Sequence, residues 1–209
     1  MKSNFFPETL PPKTKSLLEK LKGVNLLRNF YLSGGTALAL QLGHRESEDL
    51  DFFTKDEFGT EQLEQSLRKI GELKDAQVEK GTLNTFLMGV QLQFLHYPYN
   101  LLEAVIDFDG IALSSVIDIA CTKLLTISSR GSKKDFIDLF FILKEHSLES
   151  LFEKITEKYQ ETQYSKTHMI KSLIYFKQAD RQPMPKMHKK TTWEEIKRKI
   201  TLEVKALNL

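Results

Sequence analysis

Residues 31–53 read YLSGGTALALQLGHRESEDLDFF, and the fold hinges on this stretch. Asn29 to Ser33 (NFYLS) is a short apolar run that reads as a buried strand, and it stops at the pair Gly34-Gly35. Thr36 to Leu42 has helical composition and ends at Gly43, the residue type that most readily takes the left-handed turn closing a helix. Glu48 to Thr54 (EDLDFFT) reads as a second strand. Thirteen residues lie between Gly35 and Asp49, room for one short helix and a turn. The second strand is therefore expected beside the first, with its acidic residues near the glycines.

A strand that ends in two glycines and feeds a helix lets the backbone approach a ligand closely. The amides of the first helical turn, with the helix dipole behind them, then favour an anion. Asp49 and Asp51 stand two apart, so on a strand both carboxylates face one side, about 7 Å apart along the backbone. Leu50, Phe52 and Phe53 around them bury the strand. Paired carboxylates in such a setting repel one another unless a cation neutralises them. Magnesium with oxygen ligands suits that role, and two ions about 3.5–4 Å apart would fit. Arg45 and Ser47, on the return, are placed either to reach a phosphate or to brace the carboxylates. Taken alone, each feature also has a plainer reading, a tight turn and a strand-end Asp in water.

Outward from this stretch, leucines at 17, 18, 21 and 27 mark an amphipathic helix over Thr14 to Arg28, and Glu61 to Ile70 reads as a helix stopped by Gly71. Between Ala76 and Tyr97, Gly81 and Gly89 punctuate β-rich segments, and VQLQFLHY (90–97) alternates as a strand does. These are expected to be antiparallel neighbours of the first two strands. From Ser114 the chain reads almost wholly helical. The candidates are Ser115 to Ser129, Lys133 to His146, Leu148 to Tyr159, Ser165 to Lys177 and Thr192 to Leu207, the last opened by a capping box of Thr192 and Glu195. Ala179 to Lys190, with Pro183 and Pro185, reads as an exposed loop. The expected class is α+β: a small mixed-sheet core with an N-terminal helix over 1–112, then a helical domain over 113–209.

The second chemical constellation is DIACTKLLTISSRGSKKDFIDLFFIL, residues 118–143. The helix from Lys133 is apolar nearly all round and should be buried, yet it carries Asp135 and Asp138 on one face. A buried carboxylate costs several kcal/mol unless paired. Lys123 and Arg130, seven apart on the preceding helix, share a face and could supply the pairing. They could instead face the first two aspartates across a cleft and bind a triphosphate tail. His44 reads as a loop residue, and Tyr97-Pro98-Tyr99 as a strand-ending turn that could also stack a base.

Composition narrows the class. The chain has 209 residues, 41% hydrophobic and 28% charged, which excludes disordered and collagen-like sequences. No apolar run reaches the length of a membrane span. The start, MKSNFFPETLPPKTK, lacks the apolar core of a secretory leader, and one cysteine, Cys121, allows no internal disulfide; both fit the cytoplasm. Five scattered His and one Cys give no zinc spacing. Residues 1–112 hold 12 Lys/Arg against 16 Asp/Glu and residues 113–209 hold 18 against 12, an acidic half to hold cations and a basic half to meet phosphates.

The ordered pieces Ser33-Gly34-Gly35-Thr36-Ala37-Leu38-Ala39, Gly43-His44-Arg45 and Asp49-Leu50-Asp51-Phe52-Phe53 resemble the AbiEii/AbiGii toxin family of the polymerase-β-like nucleotidyltransferase superfamily. Asp118-Ile119-Ala120, Lys123-Leu124, Arg130-Gly131 and Lys133-Lys134-Asp135-Phe136-Ile137-Asp138-Leu139 extend the resemblance, as do Tyr175-Phe176 and the proline loop leading to Trp193. The resemblance implies Mg2+-dependent transfer of a nucleotide from an NTP to an acceptor such as a tRNA end, by a toxin with a neighbouring antitoxin. It implies that Asp49 and Asp51 hold metal and that Lys123 and Asp135 complete the catalytic set. Gly34, Gly35, Thr36, Arg45, Ser47, Arg130, Lys134 and Asp138 would surround the nucleotide. One departure stands out: many members of the superfamily carry a third carboxylate on a neighbouring strand, where VQLQFLHY offers Gln91 and Gln93. Glu103, Asp107 or Asp135 could replace it. A nucleotide- or RNA-binding module without turnover is the alternative; a phosphatase reading of Asp-Leu-Asp ranks last, since Phe53 stands where a small hydroxyl residue belongs.

Overall fold

The decisive stretch forms β1 (Tyr31–Ser33), α2 (Gly34–Leu42) and β2 (Leu50–Thr54), after an N-terminal α1 (Pro12–Gly23). The computed structural model describes residues 4–23, 26–160 and 164–207. Gly43 closes α2 in the left-handed conformation, φ +60°. Next come α3 (Thr60–Arg68), β3 (Leu73–Glu79), β4 (Thr82–Leu87), β5 (Val90–His96), β6 (Ile106–Phe108) and β7 (Ile111–Leu113). The helices α4 (Val116–Ser129), α5 (Lys133–Ile142), α6 (Leu148–Lys158), α7 (Lys166–Leu173), α8 (Lys177–Asp180) and α9 (Trp193–Ala206) complete the chain. Val24 and Asn25, within the expected first helix, lie outside the described residues.

The strands form one seven-stranded mixed sheet in the order β3-β4-β5-β2-β1-β7-β6. β1 and β2 are antiparallel, with Ser33 opposite Asp51, so the end of β1 and the start of β2 meet at the glycine turn. One face of the sheet is core: Leu50, Phe52, Leu92 and Phe94 are fully buried, and Phe52 stacks on Phe94 at 5.1 Å. Leu17, Leu18 and Leu21 of α1 belong to the same core. Alternation sends Asp51 and Gln93 to the other face.

The expectation that 76–97 lies antiparallel to the first strands is corrected: β5 runs parallel to β2, with β3 and β4 antiparallel in turn beyond it. Alternating burial specifies a strand's face but carries no direction. The hairpin β6–β7 was not anticipated, because three-residue strands leave too short a pattern to read. It turns at Asp109-Gly110, both with φ > 0, and β7 then pairs parallel with β1. The helix expected over 165–177 stops at Leu173 and resumes as α8.

In the helical half, α5 buries Phe136, Ile137, Leu139, Phe141 and Ile142. α4 packs against α5, α6 and α7, and α2 packs against both α4 and α5, which brings the second constellation up to the glycine turn. The proline loop does not simply hang in solvent. Lys186 O accepts from Glu46 N at 2.8 Å, and the amides of His188 and Lys189 bond to His44 O at 2.9 and 3.1 Å.

Candidate active site

Each glycine of the turn is required by a different side chain. Gly34 has φ +64°, and a Cβ there would lie 2.4 Å from Asp51 Oδ2, so the Asp51 carboxylate rests against the start of α2. A Cβ on Gly35 would lie 2.4 Å from Arg45 Nη2 and 3.4 Å from Ser47 Oγ. The Thr36 hydroxyl ties the same corner together, bonding to the Asp49 carbonyl and, at 2.9 Å, to Ser47 Oγ. Gly34, Gly35, Thr36, Ser47, Asp49 and Asp51 therefore converge. Asp49 sits one residue ahead of β2 rather than within it, a correction to the expected strand start at Glu48.

Neither Asp49 nor Asp51 has an ion-pair partner among the described residues. Burial pushes the Asp51 carboxyl up to about 6; Lys123 and Arg130 pull it down, while Asp49 and Asp135 push it further up. These two groups lack a compensating charge of their own.

Beside them lies a compensated network. Lys123 Nζ on α4 is 2.8 Å from Asp135 Oδ1 and 2.7 Å from Asp138 Oδ2. Arg45 grips Asp138 with both arms, Nε to Oδ1 at 2.7 Å and Nη2 to Oδ2 at 2.9 Å. His44 Nε2 donates to Asp138 Oδ1 at 2.8 Å, since the carboxylate can only accept. Burial would raise the Asp138 carboxyl, but Arg45, Lys123 and the His44 bond hold it well below the usual range. Burial likewise opposes ionisation of Asp135, and Lys123, Ser132 and Arg130 overcome it. Ser132 caps α5 and donates to Asp135 Oδ2 at 2.6 Å.

Several residues thus stand differently from the sequence reading. Arg45 is buried and grips Asp138 rather than a phosphate or the Asp49 and Asp51 carboxylates, while buried Lys123 takes the first of its two expected roles and pairs with Asp135 and Asp138. His44 lies in the loop after Gly43 as expected, but it is fully buried, and burial lowers its pKa. An isolated His after a glycine gave no pattern from which this could be read. Arg130 and Lys134 stay exposed at the rim. Asp118, also unsuspected, pairs with the buried Lys158 and accepts from the amides of Leu102 and Glu103, fixing that loop on α4.

At the position beside Asp51 on β5 stands Gln93. Asp107 lies on β6 at the far edge of the sheet, and Glu103 in the loop held by Asp118, so neither replaces a third carboxylate beside Asp51. Among the described residues no cluster of three or more His, Cys, Asp or Glu forms a metal-ligand set. The donor chemistry of Asp49 and Asp51, oxygen only and unpaired with protein cations, nevertheless fits a hard divalent ion whose remaining ligands are water and phosphate. A polar pocket of about 720 Å3 lined by Lys55, Tyr99, Asn100, Glu157 and Lys158 opens at the other ends of β2 and β5, away from this pair. There Tyr97 bonds to the Tyr159 hydroxyl at 2.5 Å and packs on Phe53 and Tyr99.

A mixed sheet whose first strand passes through a glycine turn into a helix, with Asp-x-Asp on the antiparallel neighbour, is the nucleotidyltransferase fold. Residues 16–206 match the family described as "Nucleotidyl transferase AbiEii toxin, Type IV TA system", and the chain belongs to that family. The uncharacterized protein aq_aa25 of Aquifex aeolicus (strain VF5) is 35% identical over 202 residues, 94% of this chain and 96% of that protein. The fold is shared with a proposed nucleotidyltransferase from H. pylori (TM-score 0.56, 16% identity, 93% of this chain and 94% of that one). It is also shared with MenT4, a nucleotidyltransferase toxin from Mycobacterium tuberculosis H37Rv (TM-score 0.50, 15% identity, 95% and 87%). Among the described residues no helix is long and apolar enough to cross a membrane.

Proposed function

We propose that this chain transfers a nucleotide from an NTP to an RNA acceptor, a tRNA end being the leading case, with Mg2+ held by Asp49 and Asp51. The observation that carries this reading is the Asp51 carboxylate packed against Gly34, at the mouth of α2. Residues 1–112 serve as the catalytic core, and the helical domain over 113–209 adds Lys123 and Asp135. The first-turn amides of α2, with Gly34, Gly35 and Thr36, receive the triphosphate. Lys123, fixed by Asp135 and Asp138, contributes positive field beside Asp51, and Arg130 and Lys134 meet phosphates from the rim. A bound divalent ion supplies charge neutralisation at the reacting phosphate and activation of the acceptor hydroxyl. The protein acts in the cytoplasm as a toxin restrained by an antitoxin partner.

Gln93 beside Asp51 favours one alternative, a nucleotide-binding module without turnover. Purified protein incubated with each α-labelled NTP, Mg2+ and total RNA separates the two. Transfer of label to RNA with release of pyrophosphate is expected, falling at least about 100-fold in Asp51→Asn. NTP binding without pyrophosphate from any acceptor selects the module, and no NTP binding rejects both.

A further inference from the structure

The uncovered face of the sheet beyond the two carboxylates has an unusual composition. In cross-strand register, Asp51 lies beside Gln93, Gln93 beside Asn84 and Asn84 beside Gln77. Two residues back along β5, Gln91 lies opposite Phe86, and Asp49, just ahead of β2, shares a concavity with both. Side chains in such rows point to one face. Amides therefore extend outward from the acidic pair, broken by one aromatic ring that is 39% exposed, on β4, the strand next to the edge. The opposite face, with Leu83, Leu87, Leu92 and Phe94, is fully buried, so burial is not what places Phe86 here.

A pocket of about 310 Å3 joins these features, lined by Asp49, Phe86 and Gln91 together with Lys13 and Lys134. With Glu48, which pairs with Lys13 at 3.2 Å, it holds two acidic groups, an exposed aromatic, an amide and two cations within one concavity. Asn and Gln side chains both donate and accept, which suits base edges, and a bare ring stacks on any base. Position assigns the occupant. The glycine turn and α2 lie on the β1 side of β2, whereas this pocket lies on the β5–β4 side. In an in-line displacement the attacking group approaches opposite to the departing one.

Resting on the nucleotidyl-transfer reading, we infer that this pocket is the acceptor subsite for the 3′ end of a single-stranded RNA, with a base stacked on Phe86. Gln91 meets that base's edge, and Lys13 and Lys134 meet the flanking phosphates. The terminal hydroxyl oxygen forms the bond to the α-phosphorus as the bond to pyrophosphate breaks, and the hydroxyl proton passes to water.

The test measures two affinities on the full chain. One is for a fluorescein-labelled, mixed-sequence single-stranded oligoribonucleotide, followed by anisotropy; the other is for NTP with Mg2+. Phe86→Ala is expected to weaken the oligonucleotide about tenfold and Phe86→Trp to retain it, with NTP affinity unchanged. Leu202→Ala, an exposed leucine on α9, should alter neither. Equal oligonucleotide affinity in Phe86→Ala overturns the inference. Parallel loss of NTP affinity also overturns it, since the ring would then serve the incoming nucleotide. Wild-type protein that binds NTP but no RNA, and labels a protein instead, overturns the RNA subsite while leaving nucleotidyl transfer standing. Failure of the wild type to bind NTP rejects the underlying reading, and with it this one.

Discussion

Two pairs of aspartates lie near one another, and their surroundings are opposite. Asp135 and Asp138 are buried, and the protein supplies Lys123, Arg45, Arg130, His44 and Ser132 to satisfy them. Asp49 and Asp51 receive no ion pair among the described residues, and Asp51 is pushed up to about 6. The first pair is complete within the chain. The second is left without such partners among the described residues. The difference teaches that an acidic motif is read by its counter-charges: carboxylates matched by fixed cations hold structure together, whereas carboxylates left unmatched at a helix N-terminus are poised for a ligand.

The comparison breaks most sharply at Asp138. Asp138→Ala strands Arg45 and removes one of the two partners of Lys123, so stability should fall by about 3–5 kcal/mol, read from the urea midpoint. An unchanged midpoint would show that the network carries no net energy. Asp51→Asn should act in the opposite direction. Its folded pKa, about 6, lies above the ordinary 3.8, so folding favours the protonated form. The wild type therefore loses stability as pH rises from about 4 to 6 and keeps that deficit above. Removing the charge should raise stability by about 3 kcal/mol at pH 8 and hardly at all at pH 4, while abolishing transfer. Equal gains at both pH values would refute the charge argument. The smallest change in stability is expected from Gly34→Ala, about 1–2 kcal/mol from the left-handed backbone. The added methyl must displace the Asp51 carboxylate, so NTP affinity measured with Mg2+ should drop by more than the melting temperature suggests.

The sequence was most legible where residues act through spacing. Gly34-Gly35, the interval to Asp49 and the alternation of 90–97 placed β1, α2, β2 and β5, and the apolar run around Asp135 and Asp138 marked α5 as buried. The Thr192 capping box formed as read, with both reciprocal bonds present. Strand direction was not legible, because a parallel and an antiparallel neighbour of β2 present the same alternation. The β6–β7 hairpin was too short to show a period. The bidentate hold of Arg45 on Asp138, 93 positions away, depends on how α2 docks against α5, and no local pattern encodes that. For the same reason the role of His44 was missed.

The contact between residues 186–189 and the segment around Arg45 has a consequence for folding. Main-chain bonds from Glu46 to Lys186, and from His188 and Lys189 to His44, make the tail a clasp on the loop that carries the guanidinium. That loop therefore gains these bonds only once a segment 140 positions further along the chain has folded back onto it.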